Sequence, residues 1–260
     1  MGRLLLGAAL LLPALAIAQD DWANLARFAD ENAALGEPAR DEERVVFIGD
    51  SITQGWSDAA PEFFEERAYI ERGISGQTTP QMLVRFRADV VALEPAAVVI
   101  LAGTNDIAGN TGPASNEMIQ DNLASMAEIA TANDIRVVLA SILPAESYPW
   151  RPGVEPAFRI LAINRWIQDY AKSNDHLYVD YYSAMVNDRG GMQERYTTDG
   201  VHVSAAGYEL MQGIVEEAIS EALDRPRRVS DAESGSSNIS LRPLNGCARV
   251  SGNRRQQPCD

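Results

Sequence analysis

Lysine is almost absent from this chain. Of 22 basic residues only Lys172 is a lysine, and it follows Ala171, so no Gly-Lys-Ser/Thr phosphate loop exists. Histidine occurs twice, as His176 and His202, without His-Glu-x-x-His or paired Cys/His spacing. A histidine-built metal site is therefore not expected, and the reading calls for no cofactor. Cys247 and Cys259 are the only cysteines. Both lie in the tail, so the body offers no thiol nucleophile; in an oxidising compartment a bridge between them would staple the tail and leave the core untouched. Positive charge is also scarce, with 37 acidic residues and a net charge of −15. Such a chain has no electrostatic reason to bind nucleic acid or an anionic membrane, and neither is expected as a partner.

Long apolar runs are missing too, except at the start. MGRLLLGAALLLPALAIA combines Arg3, an apolar stretch and a small-residue site at Ala16-Ile17-Ala18. It is shorter than the ~20 residues a spanning helix needs. Residues 1–18 read as a signal peptide, which predicts a secreted or periplasmic protein with no integral membrane segment after removal. Residues 19–43 read as a leading helix and linker, with Trp22, Leu25 and Phe28 on one helical stripe over 20–35. Residues 224–260 hold seven arginines against four acids, with few large apolar groups. They read as a disordered tail.

Between these ends, residues 44–223 alternate strand-like and helix-like segments. Val45 to Ile48, Tyr69 to Arg72, Val98 to Leu101, Val137 to Ala140 and Leu177 to Asp180 are short and mostly apolar, as buried parallel strands are. Helical patterns start at Thr79-Pro80 and run over about Ser115 to Ala132, Pro156 to Ser173 and Ser204 to Leu223. Repeated βα units predict an open five-stranded parallel sheet covered on both faces, a three-layer α/β/α sandwich.

Four blocks follow the strands in fixed order: GDSIT (49–53), GISGQTT (73–79), GTND (103–106) and DGVH (199–202). A parallel sheet brings them all to its carboxyl edge, where ligands bind in open α/β folds. They supply Ser51 as a nucleophile, His202 as its base, and Asp199 to orient the imidazole. Each block alone is weak evidence: Ser51 would serve as a helix cap, Gly76 and Asp199-Gly200 as turns, and Asn105 as a helix start. Their combination carries the argument. The α/β-hydrolase elbow is excluded, because Thr53 stands where G-x-S-x-G needs its second glycine. His176 precedes the last strand, at the opposite edge from Ser51.

On these blocks the chain resembles the SGNH or GDSL hydrolase superfamily of esterases and lipases, over about residues 44–212. The resemblance implies a flavodoxin-like fold and a Ser51-His202-Asp199 triad acting through an acyl-enzyme. It assigns the oxyanion hole to the backbone N–H groups of Ser51 and Gly76 and to the Asn105 amide. Val203 departs from the family, which often has proline after the histidine. The stretches GISGQTTPQMLVRF and YPWRPG resemble the acylhydrolase branch.

Trp56, Tyr148 and Trp150 are expected to wall the substrate pocket, since aromatic faces suit sugar rings and apolar acyl or aryl groups. The expected substrate is a small-molecule or glycan ester carrying a short acyl group such as acetyl. The alternatives are a lysophospholipase or thioesterase on longer chains, acyl transfer to a sugar, and a non-catalytic glycan-binding module.

Overall fold

The computed structural model describes residues 21–225. The expected signal peptide, nearly all of the expected tail, and Cys247 and Cys259 lie outside the described residues. In chain order the elements are α1 (Ala29–Leu35), β1 (Val45–Gly49), α2 (Ser51–Ala59), α3 (Pro61–Glu65), β2 (Tyr69–Gly73), α4 (Thr79–Asp89) and β3 (Ala97–Leu101). They continue with α5 (Thr104–Ala108), α6 (Asn116–Ala132), β4 (Arg136–Ala140), α7 (Ala157–Ser173), β5 (Leu177–Val179), α8 (Tyr181–Met185) and α9 (Ala205–Asp224).

The five strands pair in parallel in the order β2-β1-β3-β4-β5. β1 sits between β2 and β3, with Val45 opposite both Tyr69 and Ala97. The chain reverses direction of travel across the sheet between β1 and β3, which opens a crevice at their carboxyl ends.

Side-chain alternation along each strand splits the core in two. Val46, Ile48, Val98, Ile100, Val137 and Leu139 face one side and pack against α4, α6 and α7 through residues such as Phe86, Leu123 and Ile163. Val45, Phe47, Val99, Leu101 and Val138 face the other and pack against α2, α3 and α9 through Trp56, Phe63 and Val215. The helix starts follow from local chemistry. Ser115 accepts a hydrogen bond from Met118 N–H, Ser204 accepts one from Gly207 N–H, and Pro80 occupies the first turn of α4.

The leading segment departs from expectation. Only Ala29–Leu35 is helical, and residues 21–28 form turns. The Asp21 carboxylate accepts from Ala26 N–H, and Asn24 has φ 54°, so this stretch closes on itself before a helix can propagate. Of the expected stripe only Phe28 is buried; Trp22 and Leu25 are exposed.

Candidate active site

Ser51 opens α2 directly after β1. Asp50 caps that helix by accepting from Ile52 N–H at 3.0 Å, so Ser51 stands at the carboxyl edge with its N–H in the first helical turn. The turn before it must be glycine: a Cβ on Gly49 would lie 2.0 Å from Thr53 Oγ1 and 2.9 Å from the Leu101 carbonyl. The close approach of α2 to β1 and β3 depends on the missing side chain.

Ser51 Oγ lies 3.1 Å from His202 Nε2, and His202 Nδ1 lies 2.7 Å from Asp199 Oδ2. The other Asp199 oxygen accepts from the N–H groups of Val201 and His202, at 2.9 and 2.7 Å. The turn thus holds the carboxylate and the imidazole in register before any substrate arrives. Partial burial would raise the Asp199 pKa, but the hydrogen bonds from the His202 ring and from these two N–H groups outweigh it and hold the carboxyl below its usual range. The loop is closed by a bridge between Thr197 and Val203, and Val203 packs into the core, so the residue that replaces the family proline sits in an ordered loop.

Gly76 and Asn105 reach the same edge from β2 and β3. Gly76 has φ +79°, a conformation that favours glycine, and is exposed. Neither its N–H nor that of Ser51 has a hydrogen-bond partner among the described residues. Asn105 is buried; its Nδ2 donates to the Gln77 carbonyl at 3.0 Å and to Asp50 Oδ2 at 3.2 Å. Burial pushes the Asp50 carboxyl up to about 6, against the opposing pull of the Ile52 N–H and of positive charge on His202.

The aromatic expectations divide. Trp150 is 39% exposed, and its ring centre is 6.3 Å from that of His202. Trp56 is a correction: it is 1% exposed, stacked between Phe63 and Tyr208 in the core beneath the sheet. Trp56 follows Ser51 by five residues, about 140° around a helix of 3.6 residues per turn, so the two side chains leave α2 in opposed directions. Tyr148 is likewise buried, its ring 5.1 Å from that of Trp150, so it supports the indole and forms no free wall. His176 sits beside Tyr170 at the far edge of the sheet.

Two residues of the site went unmarked in the sequence. Asp50 looks like a cap and also touches Asn105. Asn110 stands five residues after Asn105, a spacing with no meaning on a regular helix, yet it contacts Asn105 and Trp150. The signal for it was Gly109, which ends α5 in the left-handed conformation at φ 73°. Among the described residues no group of three or more His, Cys, Asp and Glu is placed to hold a metal ion.

Residues 47–210 match the GDSL-like Lipase/Acylhydrolase family. Esterase TesA of Pseudomonas aeruginosa is 30% identical over 177 residues, covering 63% of this chain and 81% of that protein. The crystal structure of a GDSL-like lipase from Bacteroides thetaiotaomicron is 49% identical, with a TM-score of 0.76 over 77% of this chain and 99% of the other. An acetylxylan esterase from Geobacillus stearothermophilus is 20% identical with a TM-score of 0.57, covering 71% of this chain and 97% of its own, a likeness of fold alone. The chain belongs to the GDSL-like lipase/acylhydrolase family and is a carboxylic ester hydrolase of the GDSL type.

Proposed function

We propose that this protein is a serine esterase that removes short acyl groups, acetyl among them, from a carbohydrate or other small hydroxylated molecule. The observation that carries the reading is the unbroken chain from Ser51 Oγ through His202 to Asp199, at 3.1 and 2.7 Å, on the sheet edge that also presents Gly76 and Asn105.

In this reading Ser51 Oγ attacks the ester carbonyl carbon while His202 Nε2 takes the hydroxyl proton. The carbonyl oxygen becomes an oxyanion facing the N–H groups of Ser51 and Gly76 and the Asn105 amide. The long 3.2 Å contact from Asn105 to Asp50 is the one the oxyanion would displace or share. Collapse breaks the bond to the leaving alcohol, which takes the proton back from His202. Water, deprotonated by His202, then attacks the acyl-enzyme, and its proton returns to Ser51 as the acid leaves.

Support for the substrate class comes from the surroundings of His202. The half-exposed Trp150 indole lies beside His202, the group that would protonate the leaving alcohol, and such a face suits the C–H side of a sugar ring or an aryl group. One protein that shares this fold is an acetylxylan esterase. The apolar leader read from the sequence favours an exported enzyme meeting an extracellular polymer.

The test is hydrolysis of p-nitrophenyl esters from acetate to long acyl chains, with Ser51→Ala and His202→Ala beside wild type. Turnover should be greatest on acetate and collapse in both variants. Activity undiminished in Ser51→Ala would overturn the mechanism. A preference for long chains would replace the deacylase with a lysophospholipase or thioesterase.

A further inference from the structure

We propose that Asn110 is a positioning residue that holds the Asn105 amide in its oxyanion-binding orientation, and that Trp150 locks Asn110 in turn. This rests on the serine-esterase reading above. A side-chain amide can face either way, and an oxyanion needs the nitrogen end of Asn105, so something must fix its direction.

The hydrogen-bond pattern does so without ambiguity. The Trp150 indole N–H can only donate, and it lies 3.0 Å from Asn110 Oδ1. That turns Asn110 Nδ2 towards two acceptors, the Gly76 carbonyl at 3.2 Å and Asn105 Oδ1 at 2.8 Å. With Oδ1 of Asn105 so engaged, its Nδ2 points towards the Gln77 carbonyl and Asp50. The indole at one end and the carbonyls of Gly76 and Gln77 at the other have fixed roles, and all three demand the same orientation of both amides.

The backbone explains how Asn110 reaches back. Gly109 N–H donates to the Asp106 carbonyl and Asn110 N–H to the Asn105 carbonyl, both at 3.0 Å. With Gly109 left-handed, this is the paired end of a helix in the Schellman form, which folds the residue after the glycine over the helix's own last turn. The loop carrying Trp150 is pinned to the same turn by Arg151 Nη2, which donates to the Gly109 carbonyl at 2.7 Å. Because its N–H is committed to Asn110, Trp150 has only its ring face to offer a substrate. A ring seated on that face would therefore bear on the group that orients the Asn105 amide.

The experiment is a double-mutant cycle read as kcat and KM on an acetyl ester, with thermal melting to verify folding. Asn110→Asp keeps the size but cannot donate to Asn105 or Gly76. It should lower kcat about tenfold to a hundredfold with KM within about twofold, below the 10²–10³ typical of losing an oxyanion donor outright. In an Asn105→Ala background the same change should cost less than about threefold, because no amide is left to orient. Trp150→Phe, which keeps an aromatic ring, though a smaller one, and removes the indole N–H, should repeat the pattern in kcat at about threefold to tenfold and serves if Asn110→Asp does not fold. Wild-type kcat in both variants, or an equal loss in both backgrounds, would overturn the proposal. A Ser51→Ala enzyme that stays active would instead remove the esterase mechanism on which it rests.

Discussion

Asp199 reaches His202 through both of its oxygens, one to the ring and one to the backbone, yet its side chain is 40% exposed. Exposure weakens what one charge can do, since water screens it. In the proposed mechanism Asp199 therefore contributes mostly the tautomer and orientation of the imidazole. Asp199→Ala should lower kcat by about 10²- to 10⁴-fold and leave more activity than Ser51→Ala does, as a steady-state comparison on one ester would measure. Trp56 teaches the opposite lesson about nearness in sequence. It is stacked 5.1 Å from Phe63 and 5.6 Å from Tyr208, with Phe47 edge-on. Trp56→Ala should cost about 3–5 kcal/mol of stability, visible as a lower denaturant midpoint, while KM in the surviving folded enzyme stays near wild type.

The segment before β1 acts as a strap across α4 and the end of β2. Phe28 is buried with the Arg27 and Arg72 guanidinium groups 4.5 and 4.6 Å from its ring centre. Around it Asn32 donates to Asp89 and accepts from Arg72, while Gln77 and Gln81 donate to the carbonyls of Ala23 and Trp22. Arg85, fully buried, joins Gln77, Asp89 and the carbonyls of Gly49 and Arg72 beneath the turn that carries Gly76. Phe28→Ala should destabilise by about 3–5 kcal/mol in a denaturant titration, because it leaves a cavity beside buried guanidinium groups. The strap was not legible as such: its apolar residues recur at helical spacing, but Asn24 and Asp21 turn the backbone first. The sheet was legible, because strands buried on both faces are unbroken apolar runs; Val45–Gly49 and Ala97–Leu101 extend the expected limits by one residue each. The short helices α2, α3, α5 and α8 were not. Helices of five to nine residues span too few turns for a period of 3.6 to declare itself. That is why Ser51, Gly76, Asn105, Asp199 and His202 could be placed on one edge from strand order, whereas the direction of Trp56 and the return of Asn110 could not.

At the scale of the whole molecule, carboxyls whose pKa is raised by burial, Asp50 and Asp106 in the interior and the half-buried Glu71, set how stability follows pH. Burial raises Asp50 from 3.8 to about 6 and, on β2, raises Glu71 from 4.5 to about 7, the latter against the Gly73 N–H and the charges of Arg72, Arg85 and Arg27. A group whose pKa is higher in the folded than in the unfolded chain binds its proton more tightly when folded. Its contribution to stability is fully present below the unfolded pKa and is lost as pH rises through the folded one. For these two groups stability should therefore fall between about pH 4 and 7, by up to about 1.4 kcal/mol per pH unit for each proton. That is about 2–4 °C of melting temperature per kcal/mol in a domain of this size. Asp199 and Glu42 are shifted the other way, Glu42 chiefly by its hydrogen bond to Arg44, and they limit the gain only at lower pH, where they lose their charge. A net charge of −15 also favours mild acid, since repulsion among surface carboxylates weakens as they are protonated. Salt separates the two causes, because it screens interactions between surface charges more than about 10 Å apart at 0.1 M and reaches buried groups far less. The protein should melt higher at about pH 5.5 than at about pH 8, and most of that difference should survive added salt. Glu71→Gln, which keeps the shape and removes the titration, should flatten the dependence. If salt erases the difference and Glu71→Gln leaves it unchanged, surface repulsion is the whole cause and the buried carboxyls do not govern stability.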